Sequence, residues 1–296
     1  MFPFRNILFP TDFSANAHAA LKYAAAFAQH SGGRVVLFSV QDSKSSLRPE
    51  AEWLPEPVLK GVDTERVLVE GVPANKIAQG AVDHDIDLIT VVMRDRNRLS
   101  RAFGSSIAEE IVAEAPCAVL CVRPPQRDFV EQRDDQVQLQ LKRVLLATNF
   151  RPSSAAATQL ATQIVNHLGA ELHAVYVIGD YFEQISVIFP EGGLAALTRL
   201  RSYVQERLAP LSRTGGSSHI AEGRPYQEIV KLADMLQADL IVIGTAVHGS
   251  LFGGSQVLGS EVERVIRNAP CPVLCVPAAR VVTPLPALVT QVVPQT

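Results

Sequence analysis

Little in this sequence marks a nucleic-acid binder, an exported protein or a catalyst. Lysine and arginine total 27 against 30 aspartates and glutamates, for a formal net charge of −3 and a pI near 6.2. The clustered positive field on which affinity for a phosphate backbone rests is therefore lacking. The longest uncharged runs, such as PSSAAATQLATQIVNHLGA, are laced with Ser, Thr, Gln and Asn, so none reads as a membrane span. The opening MFPFRNILFPTD has no charged start followed by an apolar stretch, and a cytoplasmic protein is the expectation. Only four cysteines occur, in PCAVLCV (Cys117, Cys121) and PCPVLCV (Cys271, Cys275). The second of each pair lies inside an apolar run and not in the turn a zinc site needs, which predicts buried free thiols. Gly-x-x-x-x-Gly-Lys-[Ser/Thr], Gly-x-Ser-x-Gly and His-Glu-x-x-His are all missing, so no nucleophile, base and metal set is in view.

What is present is a duplication. The 296 residues, 47% of them hydrophobic, exceed what one core usually serves, and one core per copy is expected. NILFPTDFS lies over RVLLATNFR, placing Thr11, Asp12 and Phe13 on Thr148, Asn149 and Phe150 at an offset of 137 (148 − 11). VEGVPANKIAQGAVDHDIDLITVV lies over AEGRPYQEIVKLADMLQADLIVIG, with Asp87 on Asp239 at an offset of 152 (239 − 87), so the second copy has gained 15 residues in its middle (152 − 137), within about 178–221. The ends SSIAEEIVAEAPCAVLCV and GSEVERVIRNAPCPVLCV match at an offset of 154 (271 − 117). The assigned segments are domain 1 over residues 1–125, a linker over 126–139, domain 2 over 140–279, and a proline-bearing tail over 280–296 read as mobile.

Each copy alternates apolar runs of strand length with helical patterns, which argues for βαβ units. The runs are nearly continuous in Val, Ile and Leu, as in a parallel sheet covered on both faces. Ligands in such sheets collect beyond the carboxyl ends of the strands. On ILFPTDFS in the first copy and DLIVIGT…GSLFGGSQVLGSEVERVIRNAPCPVLCV in the second, the chain resembles the universal stress protein family in a tandem form, over roughly 3–125 and 140–277. The resemblance implies an α/β fold of two doubly wound domains, each a five-stranded parallel sheet of order 3-2-1-4-5 flanked by helices. The copies would be related by a pseudo-two-fold through their last strands, Ala118–Val122 and 272–276. It also implies, in some members, an ATP site of the form Gly-x2-Gly-x9-Gly-[Ser/Thr] after strand four, with an acid after strand one contacting the adenosine.

The second copy keeps part of that pattern. Gly249 is followed by nine residues and then Gly259-Ser260, but Gly244 stands five positions before Gly249 and the strand-one acid has become Asn149. Backbone amides bared by glycine at a helix amino end are what a phosphate needs. The candidate nucleotide residues are Ala147, Thr148, Asn149, Val177, Gly244, Thr245, His248, Gly249, Gly259 and Ser260. In the first copy Asp12 remains, but the glycine positions fall on Val92, Asp95 and Ser105, and a carboxylate there repels phosphate. That copy also carries Arg94, Arg96, Arg98 and Arg101, either a solvated basic loop or a grip on an anionic partner. Ser106-x-x-Glu109 and Ser260-x-x-Glu263 equally fit capping boxes, and Asp12 and Asn149 equally fit helix N-caps. Two functions stay open: a stress-response sensor that binds an adenine nucleotide such as ATP in domain 2, or a scaffold that binds a protein or another small ligand. A homodimer is expected. A binding role is expected, with at most a weak ATPase activity.

Overall fold

The apolar runs of each copy become strands and the segments between them become helices. The computed structural model describes residues 1–13, 18–41, 57–93, 105–133, 136–179, 190–211, 215–248 and 257–278. The first half holds β1 (Asn6–Pro10), α1 (His18–Ser31), β2 (Arg34–Gln41), β3 (Asp63–Glu70), α2 (Pro73–Asp83), β4 (Leu88–Val92), α3 (Ser105–Glu114) and β5 (Ala118–Val122). A hairpin follows, β6 (Val130–Arg133) and β7 (Gln136–Leu139). The second half holds β8 (Arg143–Ala147), α4 (Pro152–Leu168), β9 (Glu171–Ile178), α5 (Pro190–Leu208), β10 (Ser218–Glu222), α6 (Pro225–Met235), β11 (Leu240–Thr245), β12 (Val247–His248), β13 (Val257–Leu258), α7 (Ser260–Asn268) and β14 (Val273–Pro277). Helices α2, α4 and α6 each open on proline, whose fixed φ and missing N–H suit the first helical position. The chain leaves α4 through Gly169 at φ 69°.

Within each half the strands are parallel, in the orders β3-β2-β1-β4-β5 and β10-β9-β8-β11-β14. This is the order the resemblance implied, twice. The two sheets then join into one of ten strands because β5 and β14 pair antiparallel, Leu120 opposite Leu274, Val119 opposite Cys275, and Cys121 opposite Val273. Leu120 and Leu274 are repeat equivalents at the 154 offset, so the pseudo-two-fold passes between them. Both are at most 1% exposed, and burying a side chain of this size stabilises by about 1.5–3 kcal/mol.

The core is divided by the faces of this sheet and not by the copies. One buried cluster contains Ile7, Val35 and Leu120 together with Val144, Leu172 and Leu274, under α1 and α4. The other contains Leu8, Val36 and Cys121 together with Leu145, Ile241 and Cys275, on the opposite side. The expectation of one core per copy is corrected, since the β5–β14 seam makes each face continuous across both halves. The segment read as a linker carries the β6–β7 hairpin, which packs on α1. Phe129 is 1% exposed and sits 4.9 Å from the Tyr23 ring and 6.0 Å from that of Phe27. The tail from residue 279 on lies outside the described residues.

Candidate functional site

The register brings the carboxyl ends of three strands level, with Ala147 beside both Ile243 and Val175. Val177 follows two residues further along β9. The buried Thr148 extends the ladder, its N–H donating to the Val175 carbonyl at 3.0 Å. The chain then turns sharply. Phe150 sits at φ 57°, and its N–H donates to Thr148 Oγ1 at 3.2 Å. Asn149 is exposed, and its Oδ1 accepts from the Arg151 N–H at 3.1 Å and from Ser154 Oγ at 2.6 Å. Ser154 Oγ in turn accepts from the Asn149 N–H at 3.2 Å. The N-cap of α4 is Arg151, with no side-chain cap. The capping expectation for Asn149 is thereby corrected: its carboxamide closes the turn two residues ahead of the cap.

Gly244 lies in β11 opposite Val276. A Cβ there would stand 2.2 Å from the Ser153 carbonyl oxygen and 2.6 Å from its carbon, so the first turn of α4 admits only glycine. Its next neighbour Thr245 is 1% exposed, and the buried Oγ1 has no hydrogen-bond partner among the described residues. The chain then enters a narrow antiparallel pair, Val247 opposite Leu258 and His248 opposite Val257. Gly249 lies outside the described residues. Gly259 follows as the N-cap of α7, with open space where a Cβ would stand and no side-chain cap. The exposed Ser260 is the first helical residue and not the cap, because Gly259 supplies the carbonyl that accepts from the Glu263 N–H at 3.1 Å. The capping box expected at Ser260 and Glu263 is accordingly not formed.

Two carboxylates share the first turn of α7 and both are matched by cations. Glu261 accepts from the Tyr226 N–H at 3.0 Å and from Arg264 at 3.2 Å, and Glu263 pairs with Arg267 at 2.9 Å. Arg267 also reaches Glu109 of the first half. Behind the β8–α4 turn, helix α5 supplies a contact that the sequence had not signalled. Phe150 stacks on Tyr176 with ring centroids 5.3 Å apart and meets Tyr203 at 6.4 Å. The Arg207 guanidinium lies 4.9 Å over Phe150 and 5.5 Å over Tyr203.

In the first half, Thr11 and Phe13 repeat the turn, with the Phe13 N–H donating to Thr11 Oγ1 at 3.0 Å. Val92 closes β4 where the second half has Gly244. The arginine loop, Asp95 and the Ser106 side chain lie outside the described residues. Among the described residues no group of three His, Cys, Asp or Glu is placed to hold a metal, and no helix is long and apolar enough to cross a membrane. None of the four cysteines forms a disulfide, and all four are buried. At the seam, a hydrogen bond with the Cys275 thiol, then burial, holds the Cys121 thiol well above its ordinary range.

A model of the universal stress protein family matches residues 3–123 and 140–277. A universal stress protein of Methanocaldococcus jannaschii is 33% identical over 145 residues, which is 46% of this chain and 81% of that protein. Universal stress protein E of Photorhabdus laumondii is 21% identical over 312 residues, 92% of this chain and 95% of its own. Among solved structures, a universal stress protein of Archaeoglobus fulgidus overlays with a TM-score of 0.65 at 22% identity, covering 92% of this chain and 98% of that one. A Pseudomonas aeruginosa protein described as functionally unknown gives 0.67 at 19% identity, covering 93% of each chain. The last two likenesses concern the fold.

Proposed function

Since the chain belongs to the universal stress protein family through both of its halves, we propose that it is a ligand-sensing module of a stress response whose second half binds an adenine nucleotide. The observation that carries this reading is the amino end of α7. Its N-cap is a glycine with open space at the Cβ position and no side-chain cap, so the first N–H groups of a helix end are left for an anion. The buried Thr245 hydroxyl, without a partner among the described residues, is two residues from Val247, which pairs with the residue preceding Gly259. The candidates Ala147, Thr148, Asn149 and Val177 would take the nucleoside end at the β8 and β9 termini, with Gly244, His248, Gly249 and Ser260 around the phosphates. The first half, with Val92 and Asp95 in place of glycine, is assigned no nucleotide.

A homodimer of the whole chain, also expected of this protein, must use a surface other than β5 and β14, because those edges are consumed on each other. The test of the nucleotide reading is thermal melting across an ATP titration. Ligand at a hundred times Kd stabilises by about 2.7 kcal/mol, and the melting temperature should climb with the logarithm of ATP concentration. A flat response up to millimolar ATP withdraws the assignment.

A further inference from the structure

We propose that the second half selects an adenine nucleotide whose ribose carries a phosphate over one with a free ribose diol. This deepens the nucleotide reading and rests on it. With the 5′-phosphates at the amino end of α7, the sugar would meet the β8–α4 turn, where the Asn149 carboxamide oxygen is already engaged by the chain itself. The Arg151 N–H can only donate, so the Asn149 atom 3.1 Å from it is the carboxamide oxygen, which Ser154 Oγ also occupies. What Asn149 has left is its Nδ2 amide, without a partner among the described residues.

Two exposed arginines belong to this region, Arg151 in the turn itself and Arg207 on α5, whose guanidinium lies over the ring of Phe150, the residue after Asn149. Neither pairs with a carboxylate among the described residues, and Arg207 is held in place over the Phe150 and Tyr203 rings. The first half has Asp12 and Ser14 at the positions of Asn149 and Arg151, and no helix among its described residues corresponds to α5. An ionised carboxylate accepts and never donates, which suits the two hydroxyl protons of a diol. In the second half that negative charge is gone and two guanidinium groups stand beside the turn. The same exchange, acid for arginine, is what turns a ribose-hydroxyl site into a ribose-phosphate site in dinucleotide folds, because guanidinium and phosphate form short, charge-assisted pairs.

The experiment is isothermal titration of the full chain with adenosine 3′,5′-bisphosphate, adenosine 2′,5′-bisphosphate and ADP. These ligands carry the same number of phosphates and differ in where the second one sits. One of the bisphosphates should bind about tenfold or more tighter than ADP. Arg207→Ala with Arg151→Ala should erase that preference, Arg207→Lys should keep part of it, and Asn149→Asp should turn it toward ADP. The exposed positions make these variants safe for the fold, which circular dichroism would check. ADP binding as tightly as both bisphosphates, or a preference that survives the double alanine variant, overturns the inference while leaving the nucleotide reading intact. No binding of any of the three overturns both.

Discussion

After the first strand of each half the chain places a phenylalanine in the left-handed region, Phe13 at φ 60° and Phe150 at φ 57°, and ties its N–H back to a threonine. A further device recurs at the other end of that strand. Asp87 Oδ2 accepts from the Arg5 and Asn6 N–H groups, both at 3.0 Å, and Asp239 Oδ2 accepts from those of Lys142 and Arg143 at 2.9 and 2.8 Å. Both copies keep these features, which build the strand and its exits. The copies part at the carboxyl rim: Val92 against Gly244, Asp12 against Asn149, and α5 with a counterpart in neither β2–β3 nor any other described segment of the first half. Shared contacts thus belong to the fold, and the divergent ones cluster where ligands collect in an open parallel sheet.

Giving one half the residue the other already has would break or sharpen this contrast. Gly244→Val, copying Val92, forces a side chain into the Ser153 backbone. It should cost about 3 kcal/mol in urea unfolding and abolish any ATP-dependent rise in melting temperature. His219→Val, copying Val67, addresses a relay confined to the second half: His219 Nε2 lies 2.8 Å from Ser217 Oγ, which is 2.7 Å from His173 Nδ1. Burial, then His173, holds the His219 pKa below the ordinary 6.5. The unfolded chain therefore binds more protons just under pH 6.5, and stability present above that pH is lost as it falls. Each such histidine adds at most about 1.4 kcal/mol per pH unit to the slope. The variant should flatten the acid side of a stability–pH profile; an unchanged slope counts against the relay as its cause. His30, lowered by burial and then by His167, should keep its own share.

Ser154→Ala, copying Ala17, opens the Asn149 clamp and should cost about 1 kcal/mol at neutral pH. Thr90→Val, copying Val242, removes a fully buried hydroxyl that has no partner. It should leave stability unchanged or raise it by about 0.5 kcal/mol, seen as a small upward shift of the urea midpoint.

The covered parallel sheet was legible because apolar runs such as ILFP and RVLLA appear in both copies, whereas the order of its strands came only with the resemblance carried by ILFPTDFS and the glycine-bearing end of the second copy. The division of the core was not: the resemblance implied that the copies meet through their last strands, but periodicity within a copy does not say that each apolar face runs on across that seam. The strands Val130–Arg133 and Gln136–Leu139 fall within the segment assigned as a linker, and their packing on α1 has no local signal because it depends on Phe129 finding Tyr23 and Phe27 far back in the chain. The glycine motif drew attention to Gly244 as a nucleotide residue, whereas the neighbour that leaves no room for a Cβ there is the first turn of α4, which the motif does not signal. The stack of Arg207 on Phe150 left no trace in spacing, since α5 belongs to an insertion with no twin to compare.

The seam also governs how the molecule comes apart. Arg127 of the inter-half segment bonds the Ala238 carbonyl at 3.0 Å, Arg123 bonds that of Ala269 at 3.2 Å, and both apolar layers pass under the joined strands without interruption. Freeing either copy would bare a strand whose five residues are all buried, or its nearly as buried mate. Neither copy thus has a melting point of its own: calorimetry should record one endotherm whose van't Hoff and integrated enthalpies agree for the full chain.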